Sequence, residues 1–208
     1  MQKLTVTFRK GDDARFLSHL DLTATLEYAV RRAQLPVSLS EGFSPRPRLS
    51  VAASLALGYV GEAEILEVTL REAVDPAVVA ERLAAALPNG IDIISVEEAV
   101  PGAKTAASRL QSAVYRVDLP VPIADLDERA RTLLQSSRLD VQEQRDGQVR
   151  RRDLRPMVLG LETVSPQTLR LEARMDGDGS IRPEQLLMLM DVPTRGVRVT
   201  RERIVLRT

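Results

Sequence analysis

One order of periodic segments occurs twice along this chain, and that repetition constrains the fold more than any single motif. In Lys3–Arg9, Leu4, Val6 and Phe8 alternate with Lys3, Thr5 and Thr7, the period of a half-buried strand. Lys10-Gly11-Asp12-Asp13 reads as a turn. Ser18 followed by Asp21 is a capping-box pattern, in which a hydroxyl and an acid three residues on satisfy the free amides of a helix start. The helix is predicted to run to about Ala33, with Leu22, Leu26, Ala29, Val30 and Ala33 on one face, and Leu35-Pro36 ends it. Strands are predicted at Val37–Ser40, Leu49–Ala56, Ile65–Arg71 and Ile91–Val96. A helix opens at Pro76 and stops at Pro88-Asn89-Gly90.

Pro101–Gln111, rich in Ala, Ser and Gly, reads as a linker. Beyond it the order returns. A strand is expected at Ala113–Val121 and a helix at Asp125–Ser137. Strands follow at Leu139–Arg145 and Val149–Leu154 around an Asp146-Gly147 hairpin turn. Met157–Val164 and Leu169–Met175 form a further hairpin, Pro183–Met190 a helix and Val197–Leu206 a closing strand. Two βαββαβ orders in tandem predict an α+β chain of two ferredoxin-like domains, each an antiparallel sheet with two helices on one face. The expected boundaries are 1–100, a linker over 101–111, and 112–208.

Composition narrows the chemistry. The chain has no cysteine, which removes disulfides, thiolate metal sites and cysteine nucleophiles. No P-loop and no Gly-x-Gly-x-x-Gly occurs, so no nucleotide cofactor is expected, and no metal site either. No apolar run approaches the ~20 residues of a membrane span. A cytoplasmic location is expected. Charge sums to zero over 29 basic and 29 acidic residues, so the chain does not coat nucleic acid by bulk charge. All but three of the basic residues, Lys3, Lys10 and Lys104, are arginines. Arginine suits bidentate phosphate recognition, and a GC-rich genome gives the same bias. Residues 59–108 are the acidic middle, with 9 acidic and 3 basic side chains.

The most distinctive stretch is Ser40-Glu41-Gly42-Phe43-Ser44-Pro45-Arg46-Pro47-Arg48. Prolines on either side of Arg46 restrict its backbone and that of its neighbours, so Arg46 and Arg48 stand on a stiffened loop. Phe43 is either a platform for a nucleobase or a loop side chain tucked over the core. Arg15, Arg31 and Arg32 join these in one basic patch if the helix end folds near the loop. In the second half Arg150 and Arg152 share a strand face, as a basic edge or a solvated hairpin arm with Arg151 paired across it. Arg155 precedes Pro156. Arg182 precedes Pro183 at a helix start, where free amides favour an anion. The arginines of the two halves are expected to flank a groove. His19, the one histidine, is a general base or a polar helix-cap residue.

Arg15-Phe16-Leu17-Ser18-His19-Leu20-Asp21, Arg31-Arg32-Ala33, the Ser40–Ser50 loop, Asp153-Leu154-Arg155-Pro156 and Ser180-Ile181-Arg182-Pro183 together resemble the bacterial radical SAM-linked protein family, over nearly the whole chain. This is a domain of unknown function found beside, or fused after, a radical SAM enzyme. The resemblance implies a partner that performs radical chemistry. Without cysteines this chain cannot hold that enzyme's cluster. Tandem ferredoxin-like domains with a histidine in the first half also look like CRISPR repeat-processing endoribonucleases, with Met175–Ser180 as the glycine-rich segment. The expected function is a non-catalytic RNA-binding or substrate-presenting module for tRNA or ribosome modification. The alternatives are a metal-independent endoribonuclease using His19, and a protein adaptor that binds the enzyme through the acidic middle.

Overall fold

The computed structural model describes residues 1–145, 148–176 and 179–207. The fold is mixed α+β with mostly antiparallel strands, in two compact units. The first comprises Met1–Leu110 with the last residues from Leu206, and the second Gln111–Val205.

The first unit runs β1 (Gln2–Lys10), α1 (His19–Arg32), β2 (Leu49–Val51), β3 (Val60–Leu70), α2 (Pro76–Ala86) and β4 (Ile91–Glu98). Its strands lie in the order β4-β1-β3-β2, every neighbour antiparallel. Leu4, Val6 and Phe8 are fully buried against Leu66, Val68 and Leu70 of β3 and against Leu22, Leu26 and Val30 of α1 and Val79 and Leu83 of α2. Burying one such side chain contributes about 1.5–3 kcal/mol, so this face organises the unit. The alternate residues, Lys3 and Thr5 among them, face away from the helices.

Local signals place the helix starts. The Ser18 hydroxyl accepts from Asp21 N and the Asp21 carboxylate accepts from Ser18 N, the reciprocal cap that opens α1. Pro76 opens α2 behind Asp75, whose carboxylate accepts from Ala77 N. Gly90, at φ 87°, turns the chain after α2 where a β-carbon would lie 2.9 Å from Ala14 N. Its carbonyl accepts from Gly11 N at 2.7 Å. Only glycine combines that backbone angle with so close an approach.

Three expectations for this unit are corrected. Lys10, expected to open a turn, ends β1, is fully buried and donates to the carbonyls of Arg15 and Leu17 at 3.0 and 2.9 Å. A buried ammonium needs such partners, and here it holds down the chain that enters α1. Val37–Ser40 is not a strand but one side of a narrow neck, bridged singly at Val37 to Leu70 and at Leu39 to Pro47. The predicted strand Leu49–Ala56 pairs only over Leu49–Val51. Ala53 and Leu55 keep their alternating burial while the chain curls off β3, bringing Gly58 N onto the Arg15 carbonyl at 2.9 Å.

The second unit runs β5 (Leu110–Asp118), α3 (Leu126–Gln135), β6 (Asp140–Arg145), β7 (Gln148–Asp153), β8 (Val158–Ser165), β9 (Thr168–Arg174), α4 (Pro183–Leu189) and β10 (Arg198–Leu206). Its sheet order is β10-β5-β9-β8, the order of the first unit taken position by position. Among the described residues β6 and β7 pair only with each other, as a hairpin between α3 and β8. The Asp146-Gly147 turn lies outside the described residues.

Candidate functional site

The loop singled out in the sequence rises from a pinned neck. Ser38 N donates to the Thr69 carbonyl, Arg48 N to the Ser38 carbonyl and Thr69 N to the Arg48 carbonyl, at 2.7, 2.7 and 2.9 Å. Above these, Ser40 N donates to the Arg46 carbonyl at 2.8 Å, and Arg46 N returns to the Ser40 hydroxyl at 3.0 Å. Pro47 is buried in the neck, and residues 41 to 46 are all exposed. Gly42 turns the tip at φ 118°.

This geometry decides between the two positions open to Phe43. At 110% relative exposure its ring touches no core. Arg46 is exposed beside it. Arg48, at the foot of the neck, stands 3.8 Å from the Glu41 carboxylate in a solvent-exposed pair. Such pairs contribute little, about 0–1 kcal/mol, and leave the guanidinium available.

The single basic patch expected of Arg15, Arg31, Arg32, Arg46 and Arg48 is two groups, one at each end of the unit. Gln2 and Val37 both pair with Leu70, so the loop neck lies where β1 begins. α1 starts beside Lys10, where β1 ends, and its 14 residues cover about 20 Å on the way back. Arg31 and Arg32, exposed in its last turn, therefore share the loop's end. Arg15 and His19 belong to the opposite end. Arg15 lies 4.7 Å over the Phe16 ring and 3.4 Å from the Asp12 carboxylate. His19 is half-buried, and its Nδ1 has no hydrogen-bond partner among the described residues. The sequence missed this split because helix direction is a tertiary property.

In the second unit the arginines do different work. Arg155 donates Nε to the Ser136 carbonyl, Nη2 to that of Leu134 and Nη1 to that of Val158, at 3.2, 3.1 and 3.1 Å. Expected to bind an anion, it instead closes the carbonyl end of α3. Asp153 completes the clamp. Its Oδ1 accepts from Leu139 N at 2.8 Å and Arg155 N at 2.9 Å. These two amides hold the carboxyl below its ordinary range. Arg152 rests its guanidinium where a β-carbon at Gly179 would collide with it. Arg182 is exposed as the N-cap of α4, and its own amide donates to Gln185 Oε1 at 2.9 Å. The side chain of Arg150 and residues 177 and 178 of the glycine-rich segment lie outside the described residues.

Among the described residues no group of His, Asp and Glu is placed to hold a metal ion, and no helix is long and apolar enough to cross a membrane.

Fold and site together define a two-unit α+β protein whose first unit presents an aromatic-tipped arginine loop. The chain belongs to a family of uncharacterised proteins conserved in bacteria, DUF2344, whose family model matches residues 3–183. The comparison with curated proteins finds no match. Among solved structures, the chain is similar to an unknown protein from Galdieria sulphuraria, at 15% identity, over 98% of this chain and 99% of that one, with a TM-score of 0.29. It is also similar to a "putative glycine cleavage system transcriptional repressor", at 12% identity, over 99% of this chain and 98% of that one, with a TM-score of 0.27. At such scores neither likeness carries an argument about fold or function.

Proposed function

We propose that this chain is a non-catalytic RNA-binding module that presents RNA to a radical SAM enzyme in tRNA or ribosome modification, and that each of its units is a ferredoxin-like domain. The shared strand order of the two units supports the second statement. The exposure of Phe43 at the tip of a pinned loop carries the first. A phenylalanine that packs on nothing is poised to stack on a base, and Arg46, Arg31 and Arg32 at the same end supply cations for phosphates. Catalysis forms no part of the proposal, because His19 lies at the other end of α1 from these arginines. Binding of total tRNA, followed by fluorescence anisotropy, tests it. With about three phosphate contacts, a fourfold rise in salt lowers affinity about 40-fold. Absent or salt-independent binding rejects the proposal.

One observation favours the adaptor as a second reading. Phe16, Leu20 and Leu57 are exposed, and the bond from Gly58 N to the Arg15 carbonyl draws Leu57 towards Phe16. Exposed apolar side chains gathered in this way mark protein contacts. Co-purification of a radical SAM protein that survives nuclease treatment, and is lost on Leu20→Glu, is the expected result. Undiminished capture by that variant overturns this second reading.

A further inference from the structure

We propose that the first unit holds a second binding site, for a small phosphate monoester, in the cavity between the open face of its sheet and the segment over residues 99 to 109. The cavity has a volume of about 450 Å³. That is room for a sugar phosphate or a mononucleotide.

Strand register builds its floor. Ser50 pairs with Glu67, Glu67 with Thr5 and Thr5 with Glu97, so these four side chains form one row across β2, β3, β1 and β4. Lys3 pairs with Thr69 in the next row. All belong to the face turned away from α1 and α2.

The segment that roofs this face is anchored rather than draped. Ala99 N donates to the Lys3 carbonyl at 2.9 Å. Ala106 is fully buried, and its N donates to Glu67 Oε1 at 2.9 Å. The Arg109 carbonyl accepts from Arg207 N at 2.7 Å. The roof therefore needs no ordering when a ligand enters.

Charge decides the ligand. Lys3, Arg48, Lys104 and Arg109 all line the cavity, the last two from the roof and the others from separate stretches of chain. Of the three carboxylates there, Glu67 is occupied by Ala106 N and Glu98 accepts from Gln2 Nε2 at 2.6 Å. Lys3, Lys104 and Arg109 form no ion pair among the described residues. Arg109 Nε is buried and has no hydrogen-bond acceptor among them. A buried donor of that kind needs an acceptor, and several converging cations suit a dianion better than a single carboxylate. Glu97, in the same row, can accept from a hydroxyl or amine on the body of the ligand.

Arg48, at the foot of the neck, is shared with the loop, but the tip residues Phe43 and Arg46 do not line this cavity, so their variants separate this site from RNA binding. Calorimetry on the full chain with AMP, ribose 5-phosphate, adenosine and citrate tests it. AMP and ribose 5-phosphate are expected to bind, and adenosine and citrate at least 10-fold more weakly. If AMP alone binds, the ligand is a nucleotide, and if both bind, the phosphate group is what is recognised. The variant K104Q/R109Q is expected to lose at least 10-fold in affinity, K104Q alone less, and F43A none. Lys104 is exposed, so K104Q reports on the site without straining the fold. Equal binding of adenosine, equal binding of citrate, or wild-type affinity in K104Q/R109Q overturns the proposal.

Discussion

Arg46-Pro47 in the first unit and Arg155-Pro156 in the second are the same dipeptide with opposite fates. Arg46 is exposed on the loop tip, and its backbone rather than its side chain is tied down. Arg155 spends two donors on the Leu134 and Ser136 carbonyls at the end of α3, a third on the Val158 carbonyl where β8 begins, and its own amide on Asp153. In both, proline stiffens the chain just after the arginine. Whether the guanidinium then meets solvent or orphan carbonyls depends on what stands opposite. A helix end stands opposite Arg155, whereas the neck of the loop holds Arg46 clear of the core. Similar sequence therefore presents a guanidinium to solvent in one unit and serves cohesion in the other.

The largest expected effect tests the cohesive half. Arg155→Ala removes charged hydrogen bonds to three carbonyls, and a loss of about 3 kcal/mol is expected. Thermal unfolding should show it as a fall of roughly 6–12 °C. Wild-type stability with weakened RNA binding would reverse the roles assigned to the two arginines. Next, Phe43→Ala combined with Arg46→Ala should lower tRNA affinity about 10- to 100-fold while stability stays within about 0.5 kcal/mol. A large stability loss here would show that the loop packs after all.

A smaller effect appears on acidification. The amides of Leu139 and Arg155 keep the Asp153 carboxyl charged to lower pH in the folded chain than in the unfolded one. The unfolded state thus takes up the proton first, and stability falls as pH drops through and below the ordinary aspartate range. Urea titrations at stepped pH should show a shallower acid slope for Asp153→Asn, and an unchanged slope would detach Asp153 from the clamp. The smallest effect is expected at His19. His19→Ala should leave tRNA affinity and RNA integrity unchanged in anisotropy and gel assays. RNA cleavage that depends on His19 would restore the nuclease alternative.

Much of the first unit was legible because its signals are local. The Ser18–Asp21 cap and the apolar stripe Leu22, Leu26, Ala29 and Val30 read directly as α1, since both lie within a few residues of chain. The misreadings share one cause. Lys10 looked like a turn residue because the carbonyls that bury it belong to Arg15 and Leu17, which come close only once the chain folds back. Residues 101–111 read as a linker, and what the sequence could not show is that Ala106 N bonds to Glu67, 39 residues earlier. The cavity formed with Lys3 and Arg48 has no sequence signature at all.

From the sequence alone came the repeated order of elements, the helix starts, and a loop in which prolines hold two arginines. Each follows from propensities and hydrogen bonds between near neighbours. Tertiary structure decided which arginines meet solvent, which cap a helix, and that His19 and the loop lie at opposite ends of α1. Those outcomes depend on strand register and helix direction, set by burying Leu4, Val6 and Phe8 against residues far along the chain. No local pattern encodes which distant group will stand opposite a given side chain.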